Sequence, residues 1–96
     1  MKNTIVESYN NAYHKLRDKQ EMRRGGWCPY YQGYDEMLYI IKKERHSIPT
    51  HQVNTKDRYI VQFFNMVLNE YGLDRGIYTQ GYLNCLSEFM TAFSYS

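Results

Sequence analysis

The sequence predicts an all-α fold, a compact four-helix domain over residues 1–96, and three observations carry that expectation. Four segments repeat apolar residues at steps of three and four, the spacing that lines one face of a helix. Glycine or proline punctuates the chain between those segments. No segment keeps a convincing strand alternation. "MLYII" alone could pass for a strand, but the acids before it and the bases after it sit where a helix dipole favours them.

The first helix opens at Thr4, whose Thr-x-x-Glu spacing with Glu7 reads as a capping box. Ile5, Tyr9, Ala12, Tyr13 and Leu16 then form its apolar face. After Leu16 the stripe lapses: "RDKQEMRR" offers only Met22 before Gly25-Gly26 ends the helix, so its last two turns are expected to project from the core. "GGWCPYYQG" reads as an irregular connection. The second helix then carries Tyr34, Met37, Leu38 and Ile41, with Asp35 and Glu36 in its first turn and Lys42, Lys43 and Arg45 in its last. Pro49 closes it.

Asn54 or Thr55 caps the third helix, and its apolar arc from Tyr59 to Tyr71 is wide enough to predict a central position. Gly72 stops it. The fourth helix begins at Thr79 or Gln80 and lines up Tyr82, Leu83, Leu86, Phe89, Met90 and Phe93.

Composition narrows the function. Ninety-six residues supply one modest core. The apolar fraction is 43%, yet mean hydropathy is -0.72, and the 11 tyrosines reconcile the two values. A tyrosine buries a large ring but needs a partner for its hydroxyl, which predicts boundary positions and interfaces. A net charge of +2 is too small to announce nucleic acid, although half of the 12 basic residues fall within the first 24 positions. Cys28 and Cys85 lack paired-ligand spacing, and no secretory or membrane-spanning run is visible, so a cytoplasmic protein with reduced thiols is expected.

One motif is written twice: Tyr30-Tyr31-Gln32-Gly33-Tyr34 and Tyr78-Thr79-Gln80-Gly81-Tyr82. Asn3-Thr4 also matches Asn54-Thr55, and Arg24-Gly25 matches Arg75-Gly76, in a register that slips by three residues at the glycine motif. This pattern fits two helix-loop-helix units packed face to face. Gly33 and Gly81 would then share one role, tight backbone at a helix start, and Tyr34 and Tyr82 would pack alike.

Catalytic signatures are missing. The chain has no Gly-Lys phosphate loop, no His-Glu-x-x-His and no Gly-x-Ser-x-Gly, so no enzyme and no cofactor are expected. His46 and His51 with Cys28 or Cys85 match no metal-ligand spacing, and they read as ordinary residues. Two features suit binding instead. Trp27, Tyr30 and Tyr31 cluster around Pro29 in "WCPYY", and Trp and Tyr are favoured anchors of binding hot spots. The alternative is that Trp27 plugs the end of a helix pair, as Ile77 would in the second half. Lys15, Lys19 and Arg23 recur at four-residue steps along the first helix, with Arg24 at its end, although Asp18 and Glu21 interleave and Arg17 can pair with Glu21.

The expected function is therefore a small non-enzymatic binding protein that occupies a surface of a protein partner. Trp27, Tyr30 and Tyr31 would anchor it, and Lys15, Lys19, Arg23 and Arg24 would flank the anchor. In its tyrosine-rich brevity the chain is similar in style to phage accessory and inhibitor proteins, a likeness of composition alone. One alternative is a nucleic-acid binder that uses the basic first helix, with Lys42 and Lys43 adding charge and tyrosines stacking on bases. Another is a homo-oligomer that holds a small anionic ligand between tyrosines and basic residues.

Overall fold

The computed structural model describes residues 4–96 as an all-helical four-helix domain. The elements are α1 (Thr4–Glu21), α2 (Pro29–Lys43), α3 (Lys56–Glu70), a 3-10 turn at Gly76–Tyr78, and α4 (Thr79–Ser94). Among the described residues there is no strand, and no helix is long and apolar enough to cross a membrane.

Each start has a local cause, and two differ from the sequence expectation. Thr4 is already helical and so is not the capping residue; Asn3, which the repeat also invoked, lies outside the described residues. α2 begins five residues before Tyr34, because Pro29 occupies its first turn, where a fixed φ suits the helix and a missing N–H costs nothing. Asp35 and Glu36 consequently sit in the second turn and cannot be explained by the helix dipole. α2 also ends earlier than Pro49, at Lys43, which leaves Arg45 beyond it. At α3 the Thr55 hydroxyl accepts from the Arg58 N–H at 3.3 Å, the capping that the sequence predicts. Gly72 ends that helix with φ 74°, its N–H donating to the Val67 and Leu68 carbonyls.

The core lies on the shared faces of α1, α2 and α4, with α3 closing one side. Tyr9, Phe63 and Phe89 meet at its centre, with ring centroids 4.9 Å (Tyr9–Phe89), 5.2 Å (Phe63–Phe89) and 5.7 Å (Tyr9–Phe63) apart. Tyrosine is thus central as well as peripheral: Tyr9, Tyr59 and Tyr82 are fully buried, while Tyr39 and Tyr95 are exposed. Tyr9 can be buried because its hydroxyl donates to the Ile41 carbonyl at 2.5 Å.

The central helix is α4: like α1 it packs against all three others, but far more extensively, whereas α3 meets only α4 and α1. This corrects the expectation drawn from the wide apolar arc of α3. Tyr59, Ile60, Phe63 and Val67 are buried, but Phe64 and Met66 are only partly so, and Val61 and Leu68 face outward. Periodicity measures how much of a helix is apolar, not how many neighbours cover it.

The two glycine motifs face each other. A Cβ on Gly33 would lie 1.9 Å from the Tyr78 carbonyl oxygen, and one on Gly81 would lie 1.7 Å from the Tyr30 oxygen. The start of each repeat unit's second helix therefore rests on the other through bare backbone. Tyr34 and Tyr82, one residue on, are both buried.

Candidate functional site

The face built around the start of α2 gathers most of the residues singled out from the sequence. Lys19 and Arg23, from the end of α1, and Tyr30, Tyr31 and Tyr34, from α2, line a concavity of ≈ 340 Å³. In the last turns of α1, Asp18, Lys19, Glu21 and, just beyond, Met22 are exposed, as the lapsed stripe predicts, but these turns do not stand free of the other helices. They are tied down by polar contacts where the apolar stripe has lapsed.

Lys19 Nζ donates to Glu88 Oε1 on α4 at 2.8 Å, and the Tyr34 hydroxyl donates to the same oxygen at 3.0 Å. Arg23 grips Asp35 through two hydrogen bonds of 3.0 and 2.9 Å, while its guanidinium lies 4.0 Å from the centre of the Tyr31 ring. Gln20 donates to the same carboxylate at 3.0 Å. Asn84 of α4 reaches the Tyr30 hydroxyl at 3.0 Å. Three helices thus hold this wall, and its aromatic rings are fixed by neighbours on α1 and α4 as well as by α2.

The titration of the wall follows from these contacts. The hydrogen bond to Glu88 raises the Lys19 ammonium, partly opposed by desolvation. The Asp35 hydrogen bonds do the same for Arg23. Burial first, then Cys85 and the Glu88 hydrogen bond, push the Tyr34 phenol far above its usual range. At neutral pH the wall therefore holds two cations, each facing a carboxylate, and the neutral phenol of Tyr34.

Trp27 stands beside this wall rather than inside the core. It is 66% exposed, and its indole N–H donates to Gln32 on the first turn of α2. Ile77, in the equivalent place before α4, is 71% exposed. Neither residue plugs a helix pair, because the Gly33–Gly81 crossing already closes that end with backbone. Lys15 is exposed and borders a different concavity, between α1 and α4, which it shares with Lys19 and Tyr95. Arg24 is exposed beyond the end of α1. The structure therefore brings together Lys19, Arg23, Tyr30 and Tyr31, sets Trp27 next to them, and leaves Lys15 and Arg24 outside.

Three contributors escaped sequence reasoning. In the sequence Tyr34 reads only as a packing residue, and Asp35 as a dipole partner. Glu88 carried no signal at all, being a lone acid far along the chain. A second clamp grips the next acid of α2: Arg75 bonds Glu36 at 2.7 Å and covers the Tyr82 ring at 4.5 Å, although the repeat register pairs Arg75 with Arg24 rather than with Arg23. The Arg17–Glu21 pair expected from spacing is present at 3.3 Å.

Among the described residues no three His, Cys, Asp or Glu side chains converge on a metal position. Cys28 precedes α2 and His46 and His51 follow it, so a helix of 15 residues, about 22 Å long, separates them. Both cysteines are free thiols, and Cys85 is wholly buried. No family model matches the chain, and neither a curated protein nor a solved structure is significantly similar to it.

Proposed function

We propose that this chain is a non-catalytic binding protein that docks on a protein partner through the edge formed by Trp27, Tyr30 and Tyr31, and acts by covering the surface it occupies. The observation that carries the reading is the exposed indole of Trp27, held by Gln32 next to a rigid tyrosine wall. A large ring already held in the open loses little conformational freedom on binding, which is what a hot-spot anchor requires.

Charge favours a protein over a nucleic acid as the occupant. Lys19 and Arg23 are each matched by a carboxylate, Glu88 and Asp35. A phosphate backbone would have to displace those acids before it gained the cations. Lys15 and Arg24 remain at the periphery, where charge steers encounter more than it adds affinity. In this reading both cysteines stay reduced, as in the cytoplasm, and an inhibitor or accessory role follows from occlusion.

The test is affinity capture from the source organism with wild type and Trp27→Ala as baits, followed by direct binding to whatever is captured. Trp27→Ala should melt like wild type and lose about 2 kcal/mol or more of binding. Equal affinity of the two baits would remove the edge from the function. Steeply salt-dependent binding to oligonucleotides would replace it with the nucleic-acid reading.

A further inference from the structure

The two repeat units hold each other far more than they hold themselves. α4 packs most extensively on α2 and next on α1, whereas α1 and α2, or α3 and α4, touch much less. The aromatic core follows the same division: the Tyr9 ring of the first unit rests on Tyr59, Phe63 and Phe89 of the second. Polar ties cross too. Asn84 bonds Tyr30, Glu88 accepts from Lys19 and Tyr34, Arg75 bonds Glu36 and Tyr71 bonds Glu44. Within the first unit the side-chain ties are fewer, from Tyr9 to Ile41 and from Gln20 and Arg23 to Asp35. Each unit is thus an open pair of helices whose apolar faces are completed by the other. Through Gly33 and Gly81 it already docks on a near-copy of itself.

Only residues 44–55 decide which copy of the chain supplies that complement. Most of this connection is exposed, and its two buried side chains, Ile48 and Val53, anchor toward different units. Ile48 shares a concavity with Ile5, Val6 and Tyr9 of α1, completed by Tyr59. Val53 shares another with Asp57, Arg58 and Val61 of α3. Between the anchors lies a single turn, in which the Gln52 and Val53 N–H groups donate to the Pro49 carbonyl at 3.2 Å. Straightening it gives up two hydrogen bonds of a surface turn, which water replaces at small net cost. Both units and both anchors stay intact.

We propose that the chain exchanges its halves with a second copy, forming a dimer in which each α1–α2 unit closes on the α3–α4 unit of the other. Each tyrosine wall is then composite, its Asn84 and Glu88 supplied by the other copy. The interfaces are the same in monomer and dimer, so protein concentration and the Pro49–Val53 turn set the balance. The exchange does not depend on what the Trp27 edge binds.

The test mixes isotope-labelled and unlabelled chains in urea, refolds them together at rising concentration and measures mass by light scattering. A species of twice the 11.6 kDa chain mass should grow with concentration. Isotope-filtered spectra of it should show cross-peaks between the Tyr9 ring of one copy and the Phe89 ring of the other, which pack at 4.9 Å. Deleting residues 50–52 removes the turn and should raise the dimer fraction about tenfold or more. Charge reversal gives a second measure. Lys19→Glu and Glu88→Lys each set like charges together, but in their mixed dimer both pairs are opposite. Co-refolding the two variants should therefore give a dimer that melts above either variant alone. Monomer at every concentration overturns the proposal, as does a dimer without the Tyr9–Phe89 cross-peaks. No gain on mixing the charge variants overturns it as well, even if the deletion variant fails to fold.

Discussion

Gly33 lies directly against the Tyr78 carbonyl, and a Cβ there would stand 1.9 Å from that oxygen and 2.9 Å from the Tyr82 nitrogen. Gly81 repeats the relationship on the other side, against Tyr30 and Tyr34. The duplicated Gln-Gly-Tyr is therefore two halves of one contact, in which each glycine admits the backbone of the other motif.

Alanine at either glycine should be destabilising, against the ordinary rule. In an unobstructed helix, Gly→Ala gains about 1 kcal/mol. Here the obstacle is main chain, which cannot rotate away, and overpacking of this kind costs about 1–3 kcal/mol or more. Urea denaturation of Gly33→Ala and Gly81→Ala should show lowered midpoints, while Gly26→Ala, with no atom within 4 Å of the new methyl, should not. A raised midpoint for Gly33→Ala would mean that the helices do not cross there.

Adjacent phenylalanines on α3 should behave differently. Phe63 is fully buried and touches both Tyr9 and Phe89, so Phe63→Ala should cost about 3–5 kcal/mol. Phe64 is only partly buried, and Phe64→Ala should cost clearly less. Met22→Ala, at a 79% exposed position, should change little. Thermal or urea unfolding of the three variants ranks them directly.

Stability should fall steeply on the alkaline side. Burial raises the phenols of Tyr9 and Tyr59 above the ordinary value of 10.0, with Tyr59 pushed up to about 12. The unfolded chain then loses these protons at lower pH than the folded chain, so unfolding is favoured as pH rises. Their contribution is complete below about 10 and for Tyr59 is lost between about 10 and about 12, at roughly 1.4 kcal/mol per pH unit for each fully withheld proton. Urea midpoints measured across that window, alongside tyrosinate absorbance, check both the slope and its coincidence with unfolding.

The two thiols should label in separate phases. Cys85 is wholly buried, and desolvation, reinforced by Glu88, pushes its thiol well above the ordinary range. Cys28 is partly exposed before α2. A thiol reagent should modify one cysteine in the native protein and both in denaturant. Equal native rates would place Cys85 at the surface.

Much of this architecture was determined by sequence alone, because helix periodicity and breakers act over a few residues. The apolar steps from Ile5 to Leu16 and from Tyr82 to Phe93 specified faces that are indeed buried, and Thr55 and Gly72 marked the ends of α3. The start of α2 was misplaced by five residues, because Pro29 between aromatic and glycine residues reads as loop punctuation although it also suits a first helical turn. Gly33 reads as a breaker until α4 is seen lying across it.

Tertiary structure alone decided the rest, because the relevant partners are far apart along the chain. Nothing near Lys19 announces Glu88, and nothing near Arg23 announces Asp35 across the connection, yet those pairings turn part of an apparent basic ridge into ties from the end of α1 to α4 and α2. The same holds for centrality. α3 has the wider apolar arc, but α4 has neighbours on more sides, and burial depends on neighbours. Trp27 illustrates both halves: its chemistry was visible at once, but its exposure followed from a crossing of glycine backbones that left no cavity for it to plug.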